Sequence, residues 1–379
     1  MKAYQFKLYN HKRNRHLKRQ IHLAASIYNH CIALHKRYYR LYGKHLDAHR
    51  LKVHLTKLKK LERYAHWNQL GSQAIQDVVE RIDRAYKLFF SNLKTGRTSS
   101  PPSFKKRIKY KSFTLKQAGY KLLQGNYIRI GKRIYRYFKS RDIEGNPKTL
   151  TVKRDALGDL YIIIVTDAET QIENVSTTGK SVGYDFGLKT FLTASDGNDV
   201  EAPLFFKSGL NTIRTANKQL SHKKRGSHHW KRARLNLARK HRKIANQRND
   251  FHWKLANRIT DEYDFIFFED LNLKGMQSLW GKKITDLGFY SFLQKVKYKA
   301  ETKGKHVGFI GRFYPSSKTC SDCGFVFKAL ELRQREWACS ECGVIHDRDR
   351  NASVNIFRVG ASTLGLGDVR PPSPVAIAA

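Results

Sequence analysis

Apolar and polar positions alternate at the start of the chain. Tyr4, Phe6 and Leu8 are interleaved with Gln5, Lys7 and Tyr9, the period of a half-buried strand. The period then changes. Leu17, Ile21, Ala24, Tyr28, Cys31, Leu34, Tyr38 and Leu41 recur every three or four residues and predict a long amphipathic helix. Cys31 lies on its apolar face and reads as a packed core thiol. A second strong helix is predicted from about Ser72 to Phe90, with Ala74, Val78, Ile82, Ala85, Tyr86 and Phe89 on one face. Residues 13–92 therefore read as a helical block. The first 61 residues carry one acid, Asp47, so the outer faces of that block are basic.

The Gly, Ser and Pro content of residues 91–104 marks a linker. After it come strand patterns at Tyr127–Ile130, Ile134–Phe138, Thr149–Lys153 and Leu160–Thr166, broken by turn signals at Gly131, Gly145-Asn146-Pro147 and Gly158-Asp159. They predict a small antiparallel barrel, which the opening strand could join with the helical block inserted. Arg129, Lys132, Arg133, Arg136, Lys139 and Arg141 alternate with Tyr127, Tyr135, Tyr137 and Phe138. Such a pattern suits a barrel with aromatics inward and charges outward. It equally suits a platform on which nucleic-acid bases stack, and the two are compatible.

A third region begins near residue 177. Residues 181–197 read as a strand, a tight glycine turn and a second strand. Leu237, Ile244, Phe251, Leu255 and Ile259 signal a long helix. Phe265–Phe268 is a continuous apolar run that fits a strand buried on both faces. A helix over about 287–303 and a strand around His306–Ile310 follow.

Charge changes the picture. Of 379 residues, 73 are Lys or Arg and 31 are Asp or Glu, a net charge of +42. From Ala202 to Asn249 there are 14 basic residues and no acid. A run this one-sided points to a phosphate backbone as its partner. No apolar stretch reaches the roughly 20 residues that span a bilayer. Met1 leads straight into a strand pattern rather than a secretory signal, so a cytoplasmic setting is expected.

Two constellations carry chemistry. Cys320-x-x-Cys323 and Cys339-x-x-Cys342 are separated by 15 residues, and a glycine follows each pair (Gly324 and Gly343). Four soft thiolates at this spacing predict a closed, structural Zn2+ site, the alternatives being an iron centre or two disulfides. Three acids stand apart: Asp185 inside a predicted strand, Glu269 at the end of one, and Asp349 at the start of a helical pattern. Singly, such residues are often caps or ion-pair partners. Together they suggest carboxylates converging at strand ends to hold hard cations such as Mg2+ for phosphodiester cleavage.

These residues resemble TnpB, a family of transposon-encoded, RNA-guided DNA endonucleases related to the compact type V CRISPR effectors. The resemblance spans nearly the whole chain. Lys2 to Tyr9 is similar to the opening strand, and Ser72–Asp77 and Pro102–Lys105 to motifs of the helical block and linker. Gly183–Lys189, Glu269–Asn272 and Asp347–Ala352 resemble the three motifs of a RuvC nuclease, with the cysteine quartet between the second and third. Ser353 stands where the family more often has alanine.

The resemblance implies a multidomain α+β and α/β protein. A wedge β-barrel would take residues 1–12 and 93–176, and a helical recognition block residues 13–92. An RNase H-like RuvC nuclease would take 177–319 and 344–362, and a zinc ribbon that binds target nucleic acid 320–343. A disordered tail would take 363–379. It implies Asp185, Glu269 and Asp349 as catalytic ligands of Mg2+, two ions being expected, and Cys320, Cys323, Cys339 and Cys342 as Zn2+ ligands. Asp347 rivals Asp349 for the third acid. Asp270 points to the other strand face and reads as supporting structure. The implied partners are a guide RNA from the transposon end and double-stranded DNA with an adjacent motif, in a prokaryotic, nucleoid-associated setting, the protein being a monomer with its RNA. The implied activity is RNA-guided cleavage of DNA in transposition and DNA recombination. The rivals are an RNA-guided or zinc-ribbon DNA-binding protein that does not cut, and a DNA-joining transposase.

Overall fold

A computed structural model of the chain describes residues 1–169, 178–331 and 334–365. The expected boundary at 176/177 and residues 366–379 of the expected tail lie outside the described residues. The chain divides into two compact units, Met1–Thr170 and Gln171–Ala379, and both mix helices with strands.

The first unit contains β1 (Lys2–Lys7), α1 (Asn14–Tyr42), α2 (Ala48–Leu58), a 3-10 segment (Glu62–Leu70) and α3 (Ser72–Lys94). Six strands follow: β2 (Ser112–Lys116), β3 (Tyr120–Leu122), β4 (Tyr127–Ile130), β5 (Arg133–Arg136), β6 (Pro147–Arg154) and β7 (Leu160–Thr166). β1 joins the later strands, pairing antiparallel with β7 in the sheet β1-β7-β6-β2. The strands β3-β4-β5 form a second antiparallel sheet, and a single bridge connects Leu8 to Tyr137. The two sheets and the inserted helices share one hydrophobic core, in which Cys31 is fully buried and burial pushes its thiol up to about 12.

Two sequence motifs hold this unit together. Asp77, on α3, accepts from the Thr114 backbone at 3.0 Å and pairs with Arg81 at 2.8 Å, and Arg81 donates to the Ser112 carbonyl and Thr114 hydroxyl of β2. Lys105 and Asn29 exchange two 2.9 Å hydrogen bonds that dock the linker on α1. The linker itself begins at residue 95, because α3 runs four residues past the expected start. The aromatic and basic residues of 127–141 divide as both readings allow. Tyr135 and Tyr137 are buried, while Tyr127, Phe138 and all six basic residues are exposed. Phe138 stacks on Tyr9 at 3.7 Å, with Arg136 above the same ring at 4.6 Å.

The second unit is built on a five-stranded sheet. It runs through β8 (Ser181–Phe186), β9 (Thr190–Ala194), β10 (Val200–Glu201), α4 (Phe205–Ser221), α5 (His228–Glu262), β11 (Phe265–Glu269), α6 (Leu273–Leu287), α7 (Phe289–Lys303) and β12 (His306–Ile310). β13 (Glu336–Ala338) and β14 (Ile345–Asp347) form a small hairpin before α8 (Arg348–Ser362). The sheet order is β10-β9-β8-β11-β12. β9 is antiparallel to β8, whereas β11 is parallel to both β8 and β12. This explains the apolar run: Ile266, Phe267 and Phe268 are completely buried because β11 lies inside the sheet with cover on both faces. α4 and α6 had no clear periodic signal. α4 buries only Ile213 and Ala216, so its sequence carries little apolar stripe to read.

Candidate active site and cysteine cluster

The parallel register sets Phe268 of β11 against Tyr184 of β8. Glu269 and Asp185 each come one residue later, so the two acids emerge side by side at the carboxyl ends of adjacent strands. Side chains alternate along a strand, and these two share a face with Gly183 and Phe267. α8 packs on that face very closely. A Cβ on Gly183 would lie 2.4 Å from the Phe357 nitrogen and 2.5 Å from the Ser353 carbonyl, and one on Gly360 would lie 2.3 Å from the Phe267 ring. Glycine at both positions lets the helix lie directly on the sheet. Ser353, fully buried there, donates to the Arg350 carbonyl at 2.7 Å, so its hydroxyl is satisfied within the helix.

The amino end of α8 thereby brings Asp349 within electrostatic reach of Asp185, 164 residues away in sequence. Asp347 does something else. It is exposed, and its carboxylate caps α8 by accepting from the Arg350 nitrogen at 2.8 Å. Asp270 turns away from Glu269 to meet Arg312, which donates to its carboxylate at 2.8 Å and its carbonyl at 3.0 Å.

Electrostatics separates these acids. The Asp185 carboxyl is enclosed below the surface, although the residue keeps some solvent exposure. Burial, followed by the like charges of Asp349 and Glu269, pushes it up to about 8. Glu269 is also raised, by burial first and by Asp270, with a hydrogen bond from Ser316 acting against the shift. Asp349 is held from outside by Arg335, whose Nη1 lies 3.0 Å from both carboxylate oxygens. Asp264, just before β11, is the instructive contrast. It too is buried, but Lys305 and the amides of Thr178 and Gly179 overcome the desolvation, and its pKa is lowered.

The four cysteines meet in one cluster, each offering a sulfur within 4.8 Å of the others. The Sγ atoms of Cys320 and Cys342 are 3.7 Å apart and those of Cys323 and Cys339 3.5 Å apart. A tetrahedron with ~2.3 Å metal–sulfur bonds has an edge of about 3.8 Å, so the donor set fits Zn2+. Each pair sits on a knuckle. Gly324 and Gly343, at φ of 82° and 72°, donate to the carbonyls of Cys320 and Cys339 at 2.9 Å. Burial opposes ionisation of Cys339, but the amides of Cys342 and Glu341 prevail and bring it down to about 7. His346 was not foreseen from sequence. It is buried, its Nε2 lies 3.0 Å from the Cys320 sulfur, and its ring packs on Trp337.

The cluster and the acids are mechanically joined. Asn351 and Asn355, one turn apart on α8 and both buried, donate to the Thr319 carbonyl at 2.7 and 2.6 Å, and Asn351 accepts from the Ser321 nitrogen at 2.8 Å. The loop carrying Ser316 and Cys320 is thus clamped to the helix that carries Asp349. Ser316 and Arg335 were also missed by sequence reasoning. A lone serine before a cysteine motif and one arginine among many carry no recognisable pattern.

Comparison with known proteins adds the relationship. Residues 163–279 match the family model described as "Probable transposase", and residues 289–356 match that of the Cas12f1-like TNB domain. A Streptomyces pristinaespiralis protein named "Putative RNA-guided DNA endonuclease" is 29% identical over 84% of this chain and 79% of its own length. The resemblance to the TnpB family stands. "Putative RNA-guided DNA endonuclease InsQ" of Escherichia coli is 26% identical over 90% of this chain and 88% of its own length. "TnpB-like protein L79" of Acanthamoeba polyphaga mimivirus is 26% identical over 83% of this chain and 65% of its own. In fold, the chain is similar to a protein solved in a Cas12f1–sgRNA–target DNA complex, with a TM-score of 0.56 over 92% of this chain and 83% of that one at 14% identity.

Proposed function

We propose that this protein is a transposon-associated, RNA-guided DNA endonuclease that hydrolyses phosphodiesters at Asp185, Glu269 and Asp349. The observation that carries this reading is that Asp349 and Glu269 both act on Asp185, whose proton affinity is raised first by burial and then by their like charges. A site that crowds negative charge in this way gains most from bound cations. The donor set fits hard divalent ions, and two of the Mg2+ class would supply an activated water and stabilise the leaving 3′-oxygen. Asp185, the deepest, anchors the site between the other two. Ser316 orients Glu269, and Arg335 braces Asp349 on its outer side.

The sheet order with its antiparallel and parallel halves supports an RNase H-like, RuvC-type domain interrupted by a zinc ribbon. The two antiparallel sheets of the first unit support a wedge barrel with an inserted recognition block. The named relatives support a guide RNA and target DNA as partners, and the net charge of +42 suits holding both. Base pairing would then choose the sequence, while the protein reads shape, backbone and a short adjacent motif.

The test is programmed cleavage. Protein purified with its co-expressed RNA, whose sequence is read directly, is given a plasmid matching the guide. Cleavage is expected with wild type and lost with Asp185→Ala, Glu269→Ala or Asp349→Ala, each still recovering the RNA. Asp347→Ala is expected to cut. If Asp349→Ala cut normally and Asp347→Ala did not, the third acid would be reassigned. If no discrete RNA co-purified, a non-guided DNA-binding role would replace this reading.

A further inference from the structure

Phe313 is the most exposed large apolar side chain among the described residues, at 95%. Single exposed apolar residues are ordinary on protein surfaces. This one differs in how its backbone is held and in where it stands. It lies three residues beyond Ile310, the β12 residue paired with Glu269. The residue before it, Arg312, is clipped to Asp270 by two hydrogen bonds. The residue after it, Tyr314, is half-buried against the cluster of Phe267, Ile310 and Ile356, and its nitrogen donates to the Gly311 carbonyl at 3.0 Å. Two residues further, Ser316 is buried and bonded to Glu269. The short turn is therefore fastened at both ends to the acidic end of β11, and of its two aromatic rings Tyr314 is half-buried while Phe313 is turned out to solvent. A floppy loop could expose an aromatic by default, whereas a turn clamped on both sides presents it.

We infer that Phe313 is a stacking platform for an unpaired base of the cleaved strand, flanking the phosphodiester bound at the acids. This rests on the proposed nuclease reading. A phosphodiester at Asp185, Glu269 and Asp349 places the neighbouring nucleotides along the lip of the site, where this turn stands. A free aromatic face suits them because every base has a π-face and stacking is indifferent to sequence. The strand must be unpaired there, since both faces of a base inside a duplex are already covered. Phe313 is thus a positioning residue that touches substrate and fixes the register of the strand over the acids.

The experiment compares wild type with Phe313→Ala, Phe313→Leu and Phe313→Trp, each purified with its RNA. Cleavage rate is measured on a matched target, and 2-aminopurine fluorescence is read at the nucleotides flanking the mapped cut in an Asp185→Ala background. Phe313→Ala and Phe313→Leu are expected to slow cleavage ~5- to 150-fold, the range that removing one stacked base represents, and to lose the quenching. Phe313→Trp should stay within about threefold of wild type and keep the quenching. RNA recovery and thermal midpoint should not change in any variant. Normal cleavage and quenching in Phe313→Ala, full activity in Phe313→Leu, or a fall in its thermal midpoint would each overturn the inference while the nuclease reading stood. A wild-type complex that failed to cut its matched target would overturn both.

Discussion

A buried carboxylate beside two others costs a protein stability, and the chain treats its buried acids in two different ways. Asp264 is neutralised by Lys305 and two backbone amides, and its pKa falls. Asp185 is left among like charges, and its pKa rises to about 8. Both stand at apolar strands in the sequence, so the distinction rests on partners that arrive from elsewhere in the chain. The histidines carry a separate signature. His252 is buried, its Nε2–H donating to the Leu287 carbonyl at 2.9 Å, and burial together with the Lys295 and Arg248 charges lowers its pKa to about 4. A base whose folded pKa is depressed contributes stability above its unfolded pKa, and that contribution is lost as pH falls. Unfolding free energy should therefore decline between about pH 6.5 and 4, by on the order of 3 kcal/mol from this group. Chemical denaturation at stepped pH checks it: His252→Asn is expected to be less stable at pH 7 but flatter across that window.

At the scale of elements, the site exists because α8 can lie on β8 and β11. Gly183→Ala would press a methyl into the backbone of Phe357 and Ser353, which cannot give way as a flexible side chain would. We expect a loss of about 1–3 kcal/mol, the usual range for overpacking, and a larger loss of cleavage as Asp349 is lifted from Asp185. Thermal unfolding alongside a cleavage assay checks both. An unaffected cleavage rate would mean that the acids tolerate a displaced helix. The elements best read in advance were those with strong periodicity. β4, β7 and β12 match their expected ranges residue for residue, and β11 was recognised by its apolar run. β2 was not, because only Phe113 and Leu115 point inward in a five-residue strand, and its place is set by pairing with β6 and by Asp77 on α3.

At the scale of the molecule, the cysteine cluster acts on a site to which it contributes no acid. Through Asn351, Asn355 and the 316–321 loop, its integrity fixes Ser316 and the start of α8. Cys339→Ser is expected to abolish bound zinc, measured as metal per chain, and to expose the segment from Ser316 to the start of α8 to protease while the first unit stays resistant. Undiminished zinc would show that three thiolates and His346 suffice. Among the described residues, no helix is long and apolar enough to cross a membrane. What the sequence by itself determined was whatever depends on local pattern or spacing: the strand and helix periods, the cysteine knuckles and the basic surface, while the three acids were candidates named by resemblance. Tertiary structure alone decided which acids face one another. It made Asp347 a cap and Asp349 a neighbour of Asp185, and it brought Ser316, Arg335 and His346 to the two sites. Charge interactions and hydrogen bonds act over a few ångströms of space, and only the folded chain sets those separations.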